Sequence, residues 1–185
     1  MQDTLPIHFA PLQGYTEAIY RNAHDAFFGG VDTYYTPFVR LEKGNFRRRD
    51  VRGIEPENNG VPHLIPQLIA SSAEKAEVIL SLFIEKGYQE VDINLGCPFP
   101  LLAKRHNGSG ILPYPEEVKA LLSIVTRYPQ ISFSVKMRLG WEQPDECLAL
   151  APILNDLPLR QITMHPRLGK QGYKGEVDLQ GFSAF

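Results

Sequence analysis

Apolar and polar residues follow two rhythms along the chain. In "ISFSVKMRL", Ile131, Phe133, Val135, Met137 and Leu139 fall on one face, while Ser132, Ser134, Lys136 and Arg138 fall on the other. That period of two belongs to a β-strand. "EVDINL" sets Val91, Ile93 and Leu95 against Asp92 and Asn94, and "QITMHPR" sets Ile162 and Met164 against Gln161, Thr163 and His165. The pattern predicts strands over residues 7–10, 33–38, 64–69, 90–95, 131–139 and 161–165. The intervening stretches have a helical period. "SSAEKAEVILSLFIEKG" opens on serine caps and stops at Gly87; "PYPEEVKALLSIVTRYP" has Pro115, Glu116 and Glu117 in a first turn. "QPDECLALAPILND" predicts a third helix, kinked or broken at Pro152.

Strands separated by helices imply βαβ units and a parallel sheet. A doubly wound sheet and a (β/α) barrel both satisfy that order. A parallel strand buried on both faces reads as a continuous apolar run, yet several strands here keep one polar face. A barrel interior accommodates such faces; the alternative is polar groups merely satisfied within a sheet. The polar residues also come late in their strands, where barrel enzymes build their sites. Asp92, Asn94, Lys136, Arg138 and His165 are therefore expected to face a central pocket, with Cys97 on its rim after the "GCP" turn.

Composition narrows the function class. The chain has 185 residues, 43% hydrophobic and 22% charged, with a net charge of −2. Nothing in that balance attracts nucleic acid or anionic lipid globally, so any such contact must be a local patch. No apolar run spans a bilayer. "MQDTLPIHFAPLQG" lacks a basic region followed by an apolar one, so no secretion signal is expected. Cys97 and Cys147 lack metal-ligand spacing and read as free thiols of a cytoplasmic protein.

Taken in order, "FAPLQGYTEAIYR", "PQLIAS", "VDINLGCP", "NGSGIL", "SVKMRLGW" and "MHPRLGKQGYKG" resemble the tRNA-dihydrouridine synthases. The resemblance runs from about Phe9 to Asp178. It departs at Tyr15 and Glu17 (usually an aliphatic residue and Asp), at Ile111 (often Ala) and at Pro166 (often Gly). It implies a TIM (β/α)8-type barrel that binds FMN, uses NADPH as reductant and saturates the C5–C6 bond of uridines in tRNA. Hydride from reduced flavin would go to C6, and a proton from Cys97 to C5.

On the residues alone, Cys97 reads either as a buried structural thiol or as an acid, since a thiol of pKa ~8.5 is protonated at neutral pH. The resemblance makes it the acid. Lys136 suits the negative end of a reduced flavin, or else snorkels from a strand end. His165 lies on the flavin in the family. Gln67 is the polar residue of an apolar strand, and its amide can donate to and accept from a flavin edge. Pro11, Leu12 and Gln13 match the segment lining the flavin; without the family they form an ordinary βα loop. Asn94 matches the asparagine near the uracil, and Arg138 is placed to meet base or phosphate. Cys147 sits at core spacing. Arg47, Arg48 and Arg49 either meet tRNA phosphates or lie in a solvated loop. Residues 107–110 form a structural loop beside the cysteine, and residues 168–175 resemble the loop after strand six, near RNA.

Six strands fall short of the eight that close a barrel. The expectation is therefore a partial FMN-binding barrel over 1–185, without strands seven and eight or the helical RNA-binding domain, and with its activity as an isolated chain left open. Its edges would be available for oligomerisation. No metal is expected. Two other readings stand: an FMN-barrel oxidoreductase acting on a small pyrimidine or enone, and a non-catalytic RNA-binding fragment.

Overall fold

A computed structural model describes residues 5–185. In chain order the elements are β1 (His8–Phe9), α1 (Ala18–Phe27), β2 (Thr33–Tyr35), β3 (Leu41–Glu42), β4 (Asn45–Phe46), α2 (Arg48–Ile54), β5 (Leu64–Ile65), β6 (Gln67–Leu68), α3 (Ala73–Glu85), β7 (Glu90–Leu95), α4 (Pro100–Ala103), α5 (Pro115–Leu122), α6 (Ile124–Arg127), β8 (Ser132–Gly140), α7 (Glu146–Asn155), β9 (Leu159–Leu168) and α8 (Leu179–Ala184).

Apart from the β3–β4 hairpin, the strands are parallel and neighbour one another in sequence order, as β1-β2-β5 and β6-β7-β8-β9. β5 and β6 are one strand interrupted at Pro66, which has no N–H to give the ladder. Its carbonyl still accepts the Asp92 N–H at 3.0 Å, so the two ladders form a single six-stranded run. This is a series of βα units. Among the described residues β1 and β9 are edges that do not pair with each other, so the sheet is open.

The register stacks the inward polar residues in layers. Gln67 pairs with Asp92, Asp92 with Ser134 and Ser134 with Gln161. One layer higher Asn94 pairs with Lys136 and Lys136 with Thr163, and above them Arg138 pairs with His165. The opposite faces are apolar. Val91, Ile93, Phe133, Val135, Met137 and Leu139 are fully buried with Ile79 and Phe83 of α3, Leu121 of α5 and Leu150 of α7. Fully burying each such side chain contributes roughly 1.5–3 kcal/mol, so the alternation itself decides which face meets the helices. Cys147 belongs to this core.

Several boundaries differ from the sequence expectation. The second strand ends at Tyr35, short of Pro37. β9 runs through Pro166 to Leu168, which is tolerated because β9 is an edge and needs no donor on its open side. Residues 113–129 form two helices: the Ser123 hydroxyl donates back to the Ala120 carbonyl at 2.7 Å and breaks the run. α7 continues past Pro152. Residues 41–46 form an antiparallel hairpin whose turn has φ +50° at Lys43 and +79° at Gly44. No pattern of period two signalled strands of that length.

Candidate active site

A cleft of about 370 Å³ opens at the C-terminal ends of the strands. Pro11, Leu12, Gln13, Gln67, Asn94, Cys97, Lys136, Arg138 and His165 all line it, so every sequence-derived site residue meets at one place. They arrive from five places: the loop after β1, β6, the end of β7 with its following turn, β8 and β9. Leu12 closes the turn after β1: its N–H donates to Thr16 Oγ1 at 2.9 Å, and its carbonyl accepts from Tyr15 and Thr16, both at 3.0 Å.

The Cys97 loop is held from both sides. Asn94 Oδ1 accepts the N–H groups of Gly96 at 3.0 Å and Cys97 at 2.8 Å. The Cys97 carbonyl accepts from the Ser109 N–H at 3.0 Å and the Ser109 hydroxyl at 2.9 Å. Gly108, at φ +60°, passes so close that a methyl group there would lie 2.6 Å from the Cys97 carbonyl oxygen. The loop at 107–110 is thus the brace of the cysteine. Burial pushes the Cys97 thiol up, against smaller opposing effects of a backbone hydrogen bond and the Arg138 and Arg40 charges. The thiol keeps its proton at neutral pH.

Beneath the cysteine runs a directional chain of hydrogen bonds. Backbone N–H groups cannot reverse, so the bonds from Gly96 and Cys97 settle which end of the Asn94 amide carries oxygen. Asn94 Nδ2 then donates to Gln67 Oε1 at 2.7 Å, and Gln67 Nε2 donates to Asp92 Oδ2 at 2.6 Å. Ser134 Oγ donates to the other Asp92 oxygen at 2.6 Å. Both lone pairs of Asn94 Oδ1 are therefore occupied, and Gln67 Oε1 already serves Asn94. Each amide has one N–H left for a ligand, which narrows the mixed donor–acceptor use expected of them. Asp92 is a correction of a different kind. It points inward, but at 2% exposure it lies below the cleft rather than lining it, where it orients Gln67. Burial pushes its carboxyl up, opposed by the Ser134 and Gln67 bonds and by the Lys136 charge.

Lys136 makes no ion pair among the described residues. Burial lowers its pKa, and the Asp92 carboxylate a layer below opposes that shift. His165 is pulled down to about 4 by burial and by the charges of Arg138, Lys136 and Arg167. It is therefore neutral at pH 7. Arg167 Nη1 donates to its Nε2 at 3.3 Å, leaving Nδ1 as the protonated nitrogen. Arg138 is 2% exposed and clamps two loops: Nε donates to the Gly96 carbonyl at 3.0 Å, and Nη1 to the carbonyls of Leu168 and Gly172 at 2.9 and 2.7 Å. Its guanidinium also lies 5.6 Å from the Tyr173 ring centre. Most of its donors are spent on the loops, so its first role is to fix the cleft's walls. Arg47 is likewise committed, with Nε and Nη2 on the buried Asp50 at 2.8 and 2.7 Å; Arg48 and Arg49 remain exposed.

Sequence reasoning did not single out the aromatic wall of Tyr15, Phe38, Phe99 and Tyr173. Tyr173 had a signal only through its loop and Tyr15 only as a departure from the family pattern; Phe38 and Phe99 had none. Gln13 offers the sharpest indication of a bound group. Both atoms of its amide are buried, and neither has a hydrogen-bond partner among the described residues. Native interiors rarely leave such a group unpaired without a ligand or water.

Among the described residues, no helix is long and apolar enough to cross a membrane, and no cluster of His, Cys, Asp or Glu could hold a metal. The chain is similar to "Probable tRNA-dihydrouridine synthase 1" of Synechocystis sp., 29% identical over 92% of this chain and 48% of the relative. It is similar to "tRNA-dihydrouridine synthase B" of Vibrio cholerae, 31% identical over 64% of this chain and 35% of the relative. To "tRNA-dihydrouridine(16) synthase" of Haemophilus ducreyi it is 28% identical over 92% of this chain and 54% of the relative. The chain thus spans about half the length, or less, of these curated relatives. The family model described as "Dihydrouridine synthase (Dus)" matches residues 8–183, from the first strand to the last helix, and the chain belongs to that family.

Proposed function

We propose that this chain is the flavin-site portion of a tRNA-dihydrouridine synthase, its strands an arc of six in an eight-stranded barrel. The proposed reaction is FMN-dependent reduction of the uridine C5–C6 bond in tRNA, with NADPH as reductant and a cytoplasmic setting. The observation that carries this reading is a protonated thiol on a braced loop and a half-buried ammonium, without an ion pair among the described residues, lining one cleft.

The residues present fit a flavin. The unpartnered Gln13 amide supplies the donor and acceptor that a ring edge with alternating carbonyls and N–H groups requires. Lys136 supplies a positive charge where a reduced ring carries negative charge. Gln67 contributes its remaining N–H, His165 a neutral Nδ1–H, and Pro11 and Leu12 an apolar edge. When bound, FMN kept reduced by NADPH supplies the hydride equivalent for C6.

The protein's own work is proton transfer and positioning. Saturating the C5–C6 bond adds a hydride at C6 and a proton at C5. Negative charge develops at C5 and its adjacent carbonyl, and the Cys97 S–H bond breaks as its proton passes to C5. The thiolate regains a proton from water. A thiol biased toward its protonated form holds the proton until the carbon becomes basic enough to take it. The remaining Asn94 N–H donates to a pyrimidine carbonyl in this reading, since its other N–H is spent on Gln67. A uridine must leave its stack to enter such a cleft.

The test uses purified protein, NADPH and an unmodified tRNA transcript. Cys97→Ala is expected to keep the blue absorption of bound flavin and to lose dihydrouridine formation by ~10²-fold or more, the usual range for a general acid. Unchanged turnover would remove the acid assignment, and preferential turnover of free pyrimidines would remove tRNA as substrate.

A further inference from the structure

A second groove, of about 610 Å³, lies beside the cleft. Four cations line it: Arg40 and Lys43 from the β3–β4 hairpin and its approach, Lys75 from the first turn of α3, and Arg105 just after α4. Only one carboxylate, Glu42, lines it with them; it pairs with Arg40 at 3.3 Å. Lys43, Lys75 and Arg105 make no ion pair among the described residues. Lys75 Nζ instead meets the Ser71 hydroxyl at 2.9 Å. Arg40 Nε is buried without a partner. In a chain of net charge −2, this is a local concentration of unneutralised positive charge.

Its location gives it meaning. Arg40, Ser71 and Arg105 follow the ends of β2, β6 and β7, so the groove opens on the same face as the cleft. A small apolar septum of Phe38, Ile69 and Leu102 divides the two, with Cys97 packed against it. Phe38 faces the cleft, while Ile69 and Leu102 floor the groove. The hairpin turn also places Lys43 in a left-handed conformation, where Asn or Gly is the locally preferred residue. A polyanion that delivered one base to the cleft would cross the septum and bring its next charges over the groove.

We infer that this groove binds backbone phosphates of the RNA whose uridine enters the cleft, an inference that rests on the function proposed above. It assigns phosphate contact to Lys43, Lys75 and Arg105, with Arg40 and Arg47 excluded because their guanidinium groups are bound to Glu42 and Asp50.

The experiment measures binding of an unmodified tRNA transcript as salt is raised from ~50 to ~200 mM. The variants are Lys43→Gln with Arg105→Gln, Arg105→Lys, and Lys119→Gln as a control on the exposed side of α5. Each phosphate contact contributes about 0.7–0.9 to the slope of log affinity against log salt. The double variant is expected to flatten that slope by about 1.4–1.8 and to weaken binding roughly thirtyfold at ~100 mM salt. Arg105→Lys should retain the parent slope, as should Lys119→Gln. Retained flavin absorption in the double variant shows that the cleft is intact. An unchanged slope in the double variant, or an equal loss in Lys119→Gln, overturns the inference. A protein that binds tRNA through the groove yet forms no dihydrouridine overturns the proposed activity and leaves the groove standing. One that forms dihydrouridine with a groove-independent slope overturns the groove alone.

Discussion

Replacing Asn94 by Asp exchanges a single group, NH2 for O, and tests the directional chain beneath Cys97. One carboxylate oxygen continues to accept the Gly96 and Cys97 N–H groups. The other stands 2.7 Å from Gln67 Oε1, acceptor against acceptor. Gln67 can turn its amide over to relieve this contact, but its oxygen then faces Asp92 Oδ2 at 2.6 Å. The mismatch moves one link along without disappearing, and only a proton on one of the two buried carboxyls removes it. The cost at pH 7 is about 2–3 kcal/mol, the value of a hydrogen bond to a charged group turned into an unpaired contact. That cost depends on pH with a definite sign. The native state of Asn94→Asp holds a proton above pH ~4, where the unfolded carboxyls have lost theirs, so its stability falls as pH rises through the raised native pKa. Urea unfolding at pH 5, 6 and 7 should show the deficit against the parent growing by up to about 1.4 kcal/mol per pH unit. Asn94→Ala, which removes the acceptor without adding charge, should lose about 2 kcal/mol with little dependence on pH. A deficit of Asn94→Asp that does not change with pH would refute the assigned amide directions and the chain built on them.

Two further outcomes follow from individual contacts. Gly108→Ala puts a methyl group 2.6 Å from the Cys97 carbonyl oxygen and 2.8 Å from its Cβ, in a backbone with φ +60°. The left-handed backbone costs ~1–2 kcal/mol and the overpacking ~1–3 kcal/mol, so the melting temperature should drop by roughly 5–15 °C. Gly60→Ala, with nothing within 4 Å, should be nearly neutral, and equal melting of the two variants would contradict the brace. For His165, an NMR titration should find the imidazole neutral down to about pH 4. Its native pKa lies below the unfolded value, so the native state binds fewer protons between the two. Stability is then lost as pH falls from ~6.5 towards 4, by on the order of 1 kcal/mol once partial solvent access is discounted. A midpoint near 6.5 would place His165 outside the field of Arg138 and Lys136.

The alternation in β7 and β8 was legible because a strand packed against helices on one side and polar partners on the other has no other way to arrange its side chains. That alternation, with the one in β9, assigns Asn94, Lys136, Arg138 and His165 to one mouth from the sequence alone. The role of each side chain within that mouth was not legible in the same way. Period two assigns a residue to a face, not to a partner, and Asp92 and Asn94 have the same sequence signature. One sits under the cleft holding Gln67; the other lines it and holds the cysteine. Arg138 likewise looks from sequence like a free cation and is in fact a tie between the Gly96 and Gly172 loops. The cationic groove was hidden for a further reason. Arg40, Lys43, Lys75 and Arg105 lie up to 65 residues apart in the chain and meet only because parallel βα units bring successive strand ends to one face. The run at 47–49 drew attention because its charges are adjacent in sequence, yet α2 turns Arg47 onto Asp50. Contiguous charge along the chain is weak evidence for a charged surface in a repeating βα architecture, because neighbours there are set by the spacing of strands rather than by the spacing of residues. The same geometry puts Cys97 and the cationic groove on opposite sides of the Phe38–Ile69–Leu102 septum. A change in that septum, such as Leu102→Ala, should therefore disturb thiol position and RNA affinity together, whereas charge changes in the groove should move affinity alone.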